Sequence, residues 1–392
     1  MSMRPALRIV PLLLVAVVLA AGCSSGGGAS KTPVASRAAG STTPGAGGTP
    51  SGAPAQRAIG GKPASGSGSL IIATLFGMVE YSIKNGTQKS LIKPETDNTF
   101  ILDPAISPDG KHLVYIVQPP PKIVDTCNPR TPTPIPVHAG SGFAGGCGLY
   151  DAGSDLWVAN RDGSDPHVVY THTQANQLVR FPQWQDNDTI LVVAQEIGLE
   201  NGVNTVSYNL ERIPAAGGER TKVVKDVLAF GLSPDGARLA YARLAPQTGE
   251  TLNAVDVAGT NELTLVGTDA NLAPFNVPRY SPDGKKIAFS SADQTGARGP
   301  SPEYVTAAPL GDSGGPSLDG LPEDIWTIDV AGGKPVRVAD LKEDLPALTW
   351  SGDGKHIYVV GSAGLYDVRV DTGAVDRLGE GAFHGQVVWV GS

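Results

Sequence analysis

The sequence predicts an all-β protein, a six-bladed β-propeller closed by its N- and C-terminal strands and preceded by a signal peptide and a disordered tether. Three observations carry that expectation. Six hairpins share a leading apolar residue with a glycine seven positions later: Val79/Gly86, Leu156/Gly163, Leu210/Gly217, Leu252/Gly259, Ile325/Gly332 and Tyr366/Gly373. Between them recurs Ser-Pro-Asp-Gly followed by an apolar run, with its turn pairs at Asp109-Gly110, Asp235-Gly236 and Asp283-Gly284. A fourth copy reads Ser351-Gly352-Asp353-Gly354, and a worn one reads Gln185-Asp186-Asn187-Asp188. Finally, 50 Gly and 32 Pro leave few long amphipathic stretches and many punctuated short ones. A fixed repeat of short strands and tight turns is the mark of a closed β array.

Residues 1–22 read as a lipoprotein signal peptide. Arg4 and Arg8 form a basic start, and Ile9 to Ala21 is apolar but too short to span a bilayer. The stretch ends at Leu19-Ala20-Ala21-Gly22-Cys23, which resembles a bacterial lipobox, although its leucine stands one place early. That resemblance implies lipidation of Cys23 and an anchor on the extracytoplasmic side of a membrane, in the bacterial cell envelope. Residues 23–68 are nearly all Gly, Ala, Ser, Thr and Pro, a composition that buries no core and acts as a tether. About 45 such residues reach roughly 35–40 Å as a flexible chain.

Residues 69–392 hold the repeats, and each unit reads as four strands, A to D. Strand A ends at the Ser-Pro-Asp-Gly turn, strand B is the apolar run behind it, and C and D form the glycine hairpin. Proline presets the first turn dihedral, aspartate bonds nearby backbone, and glycine takes the left-handed position. Pro104, Pro182 and Pro278 each stand three residues before the turn motif, where an innermost edge strand spares the missing N–H. That register aligns Ile106, Trp184, Leu232, Tyr280 and Trp350 as wedges between blades. Six hairpins but five A–B motifs leave one strand A to be supplied by Gln386–Val390, beside Leu70–Leu75. No seventh unit is found.

The Ser-Pro-Asp-Gly copies resemble the WD40-like (PD40) propellers of TolB and of the non-catalytic domain of prolyl oligopeptidase-type peptidases. The resemblance covers almost all of residues 69–392 and implies fold far more than function. It departs from TolB in having a tether in place of an N-terminal α/β domain. It departs from the peptidases in having no hydrolase domain after the repeats.

A formal net charge of −8 and the lack of a basic cluster argue against nucleic acid as a partner. Of three cysteines, Cys127 and Cys147 share one loop, and in an exported protein a disulfide is the expected state. The face carrying the B–C and D–A connections takes every long insertion: 118–154, 292–322, and the shorter Glu196–Ser207 and Leu244–Gly249. Phe143, Tyr150 and Tyr304 are candidate apolar anchors there. Asp103, Arg180, Asp226 and Asp344 are candidates for a polar ring at the channel mouth. Long loops gathered on a rigid scaffold are where recognition is found.

The string Gly311-Asp312-Ser313-Gly314-Gly315-Pro316 matches the nucleophile motif of trypsin-like proteases, but it lacks the histidine context and the frame that the chemistry needs. It is read as coincidence. The six histidines show no metal-binding spacing, and no cofactor or metal is expected. The expected function is binding or scaffolding of an envelope protein, a peptide or a cell-wall component, by a monomer. The alternative is an exported hydrolase or lyase working in the channel.

Overall fold

The computed structural model describes residues 67–391, except 97, 121, 126–132, 135–147, 152, 175–176, 201–202, 246–248, 296–321, 382 and 384. Six four-stranded antiparallel sheets follow one another and form a six-bladed propeller. Blade 1 orders Val387–Val390, Ser69–Thr74, Gly77–Ser82 and Gln88–Ile92 as strands A to D. Blade 2 uses Phe100–Ile106, His112–Gln118, Asp155–Asn160 and His167–Tyr170. Blade 3 uses Leu178–Trp184, Thr189–Glu200, Val203–Pro214 and Thr221–Lys225. Blade 4 uses Val227–Leu232, Arg238–Ala245, Gly249–Asp256 and Leu263–Val266. Blade 5 uses Asn276–Tyr280, Lys286–Ser291, Glu323–Asp329 and Val336–Glu343. Blade 6 uses Ala347–Trp350, His356–Val360, Gly364–Arg369 and Val375–Glu380.

In blade 1 the chain's last strand pairs with its first, Ser69 opposite Val390 and Ile72 opposite Val387. Each strand A touches the strand A of both neighbouring blades, blade 6 to blade 1 included, so these strands line the centre. Six apolar clusters lie one between each pair of neighbouring sheets. Trp184 packs with Val114 and Val158 of blade 2, and Tyr280 with Ala240 and Ala254 of blade 4. Trp350 packs with Ala288 of blade 5, while Trp389 packs with Tyr358 of blade 6 beside Leu70 and Tyr81 of blade 1. Trp389 thus joins the five expected wedges as a sixth.

The turn motif owes its letters to a closed set of hydrogen bonds. In each of the four clear copies the serine hydroxyl donates to the aspartate two residues on, at 2.7, 2.6, 2.7 and 2.6 Å. The same hydroxyl accepts the N–H of the residue opening strand B, and the aspartate accepts a second N–H, as from Lys285 at 3.1 Å. Serine and aspartate thereby satisfy the backbone donors that a tight turn leaves over. The worn copy replaces this with Asp186, which accepts the N–H of Asp188 at 2.9 Å.

Gly352 departs from the motif for a reason in the packing. A Cβ there would lie 2.4 Å from the Trp389 indole, so the proline of the other copies has no room beside the last strand. The prolines before the motif do more than tolerate an edge. Asp103, Phe181 and Val277, each just before one of them, adopt φ of 50, 55 and 46° inside a break in the A–B register. A left-handed residue ahead of proline is strained, by about 1–3 kcal/mol.

Two of the expected insertions include paired strand: in blade 3 Glu196–Glu200 pairs with Val203–Ser207, and in blade 4 Leu244 and Ala245 pair with Glu250 and Gly249. Their β-branched and apolar residues, such as Ile197, Val203 and Val206, suit continued pairing. The 118–154 insertion forms its own small sheet, with Lys122–Asp125 between Thr133–Pro134 and Gly148–Asp151.

Candidate functional site

The strained bulges bring strand A backbone and side chains together at the centre of the wheel. Asp103 has no solvent exposure, and its two oxygens accept backbone N–H groups from the blades on either side. Gln386 N donates to Oδ1 at 2.9 Å, and Phe181 N donates to Oδ2 at 3.2 Å. A carboxylate that is buried must be bonded, and here the bonding groups belong to blades 1 and 3. The left-handed turn at Asp103 aims the carboxylate inward, and those bonds offset its strain.

Arg279 crosses the same centre from blade 5. Its Nη1 donates to the carbonyl of Phe230 in blade 4 at 2.9 Å and to that of Pro278 at 2.8 Å, and its Nη2 donates to the Gln386 side chain. Burial pushes the guanidinium down to about 10, opposed by the nearby Asp103 charge, so it stays cationic at neutral pH. Gln183 of blade 3 completes the network, donating to Phe230 O at 2.9 Å and accepting Leu232 N–H at 3.0 Å. Trp350 of blade 6 donates its indole N–H to Arg279 O at 3.0 Å. All six blades are thereby tied by one polar strut.

This changes the reading of the candidate ring. Asp103 is an interior strut residue rather than a solvated mouth charge, because its backbone turns it away from water. Arg180 sits beside it with its guanidinium 4.6 Å from the Phe181 ring centroid and close to Tyr208. Asp226, exposed and left-handed at φ 61°, donates its N–H to Tyr208 O at 2.7 Å. Arg180 and Asp226 therefore flank Tyr208, on strand C of blade 3. Asp344 stands apart, half-buried at the connection from blade 5 to blade 6. Among the described residues Arg180 makes no ion pair, so this mouth presents a cation over an aromatic ring.

A second polar cluster lies between blades 2 and 3. Asp155 accepts from the His172 ring at 2.6 Å and from its backbone N–H at 2.9 Å. Arg220 bridges Glu196 and Glu211 at 3.1 and 3.2 Å and stacks on Tyr170 at 4.7 Å. Burial raises the Glu211 carboxyl above the usual range in spite of Arg220. Sequence reasoning missed Arg279, Gln386 and Gln183, whose partners lie in other blades, and this cluster, whose members lie 9 to 24 positions apart with no local motif to mark them. The alignment of strand A residues two before the turn, Gln183 and Arg279, was the available signal. Tyr150 lies on the strand Gly148–Asp151, while Cys23, Cys127, Phe143, Cys147, Tyr304 and Ser313 fall outside the described residues.

Neither a family model nor a curated protein matches the sequence. Among solved structures, a protein described as a TolB of Agrobacterium tumefaciens is similar at 16% identity and a TM-score of 0.47, covering 83% of this chain and all of the other. TolB of Acinetobacter baumannii is similar at 16% identity and a TM-score of 0.42, covering 79% of this chain and 67% of the other. Kuenenia stuttgartiensis hydrazine synthase follows at 14% and 0.40, covering 77% and 76%. No site residue carries over from any of them, and the chain's own side chains define its channel mouth and faces.

Proposed function

We propose that this chain is an extracytoplasmic lipoprotein, held to a membrane through Cys23, whose propeller binds a protein, peptide or cell-wall component on its B–C face. One observation carries the reading: the chain enters the wheel at Ser67–Ser69, on the side of the tight A–B turns. The B–C connections leave from the opposite side, so the Ser67–Ser69 entry and the long arms lie on opposite sides of the wheel. That far side gathers the twelve-residue paired arms of blade 3, the small sheet of 122–151 and the Arg180–Phe181 mouth. Recognition by adaptable arms on a rigid ring fits this layout. The pairing of Val387–Val390 with Ser69–Ile72 in blade 1 supports a fixed base for the arms.

The alternative, an exported hydrolase or lyase, gains support only from the Asp155–His172 pair and the raised Glu211. The central polar groups are already engaged in the strut, which favours binding at the mouth over chemistry in the channel. Fractionation with the Cys23→Ser variant tests the anchor: the protein should leave the membrane fraction. Affinity capture from envelope extracts tests the face. Removing 119–153 should lose the captured partner while the unfolding midpoint holds, and equal recovery would overturn the assignment.

A further inference from the structure

The junction between blades 6 and 1 differs from the other five, and the difference leaves a cavity of about 350 Å³ on the tight-turn side. Ser67, Ser351, Asp353, His356, Tyr358 and Trp389 line it. At the seventh residue after each turn serine the other copies place Val114, Ala240 or Ala288; this one places Tyr358. Tyr358 has no exposure, and its hydroxyl has no hydrogen-bond partner. A buried hydroxyl left unpaired costs about 1–3 kcal/mol, so it calls for a partner.

The lining is rich in acceptors. Lys111 and Lys285 reach their turn aspartates at 3.5 and 3.8 Å, whereas among the described residues no ion pair joins Lys355 to Asp353. Ser351 Oγ and Lys355 N both donate to Asp353 Oδ1, and among the described residues no hydrogen bond ends on Oδ2. His356 holds Asp367 through Nδ1 at 2.7 Å, so in the neutral ring Nε2 is the remaining nitrogen and an acceptor. His356 also stacks on Tyr358, 6.0 Å apart and 5° from parallel, and the Trp389 indole forms the facing wall. A carboxylate oxygen, an imidazole lone pair, a phenol and two aromatic faces together match a small, donor-bearing cation.

We propose that this seam pocket binds an organic ammonium group, contributed either by a free amine or by a lipid headgroup. It is independent of the B–C face reading, since it lies on the other side of the wheel. Calorimetric titration of the purified full-length protein with ethanolamine and methylamine tests it, with acetate and glucose as anionic and neutral controls. Saturable binding of the ammonium probes alone is expected. Asp353→Asn, which keeps the Oδ1 acceptor of the turn, should weaken it about tenfold. Tyr358→Phe should weaken it several-fold without lowering the unfolding midpoint, since it deletes an unpaired hydroxyl. Pelleting of the Cys23→Ser chain with phosphatidylethanolamine vesicles, reversed by free ethanolamine, would assign the ligand to a headgroup, and its absence to a free amine. No saturable binding, binding of acetate as well, or affinity unchanged in both variants would overturn the proposal.

Discussion

The two faces of the propeller are built from opposite kinds of sequence. The A–B turn face repeats one solution four times, with serine and aspartate consuming the same backbone donors at nearly the same distances. The B–C face repeats nothing: blade 3 has twelve-residue paired arms, blade 2 a small added sheet, blade 5 a long connection from Ser291 to Glu323, and blades 1 and 6 short ones. Repetition marks where the chain solves a folding problem. Individual residues mark where a particular blade has another task, and Gly352, Tyr358 and Arg180 are such residues.

The severest way to break the contrast is to remove the strand that both faces depend on. Deleting 387–392 takes strand A from blade 1 and exposes Leu70 and Ile72, both fully buried. Circular dichroism and denaturant titration should show loss of the single cooperative transition, whereas an unchanged transition would mean that the blades stand without the seam. Next in size is the strut between the faces. Arg279→Met removes the nearby countercharge of buried Asp103 and the donor to Pro278 O and the Gln386 side chain, and we expect a loss of about 3 kcal/mol in chemical denaturation. Adding Asp103→Asn to that variant should return part of it, as a coupled pair does.

A sharper test sets one turn against its siblings. Gly352→Pro restores the repeat's own residue yet should destabilise by about 2 kcal/mol, because the indole of Trp389 occupies the space. Pro282→Gly at a regular copy should cost less than about 1 kcal/mol, through the unfolded chain. If the two changes cost the same, the seam is no different from the other junctions.

The smallest effect concerns pH. Hydrogen bonds from the turn serine and from a backbone N–H lower the Asp109, Asp235, Asp283 and Asp353 carboxyls below their usual value. A lowered native pKa gives stability that is present above the unfolded aspartate value, about 3.9, and lost as pH falls through the native one. Replacing all four by asparagine should flatten the acid limb of the stability profile between about pH 4 and 2, with little change near neutrality.

The propeller was legible because its turn chemistry is local: Ser281 to Lys286 contains every atom of the motif. Wedge positions followed from register alone, and the sixth, Trp389, was hidden only by the absence of a turn after it. The centre was not legible. Arg279 meets Gln386 across 107 positions, and Asp103 meets it across 283, separations at which no pattern in the sequence survives. Asp103 drew notice as a charge before strand A, but which way it faces was decided by a left-handed backbone before proline. The insertion Glu196–Ser207 of blade 3 was legible in place but not in form, because its pairing runs past the length of the other blades' strands.

Photo-crosslinking in the living cell, from one exposed position on each face, addresses the functional proposal most directly. With a photoreactive residue at Ser207 on the blade 3 arm, discrete protein or cell-wall adducts are expected, and from Lys285 on the turn face the same adducts should be missing. Identical adducts from both positions, or adducts from Lys285 alone, would contradict a B–C face that does the binding.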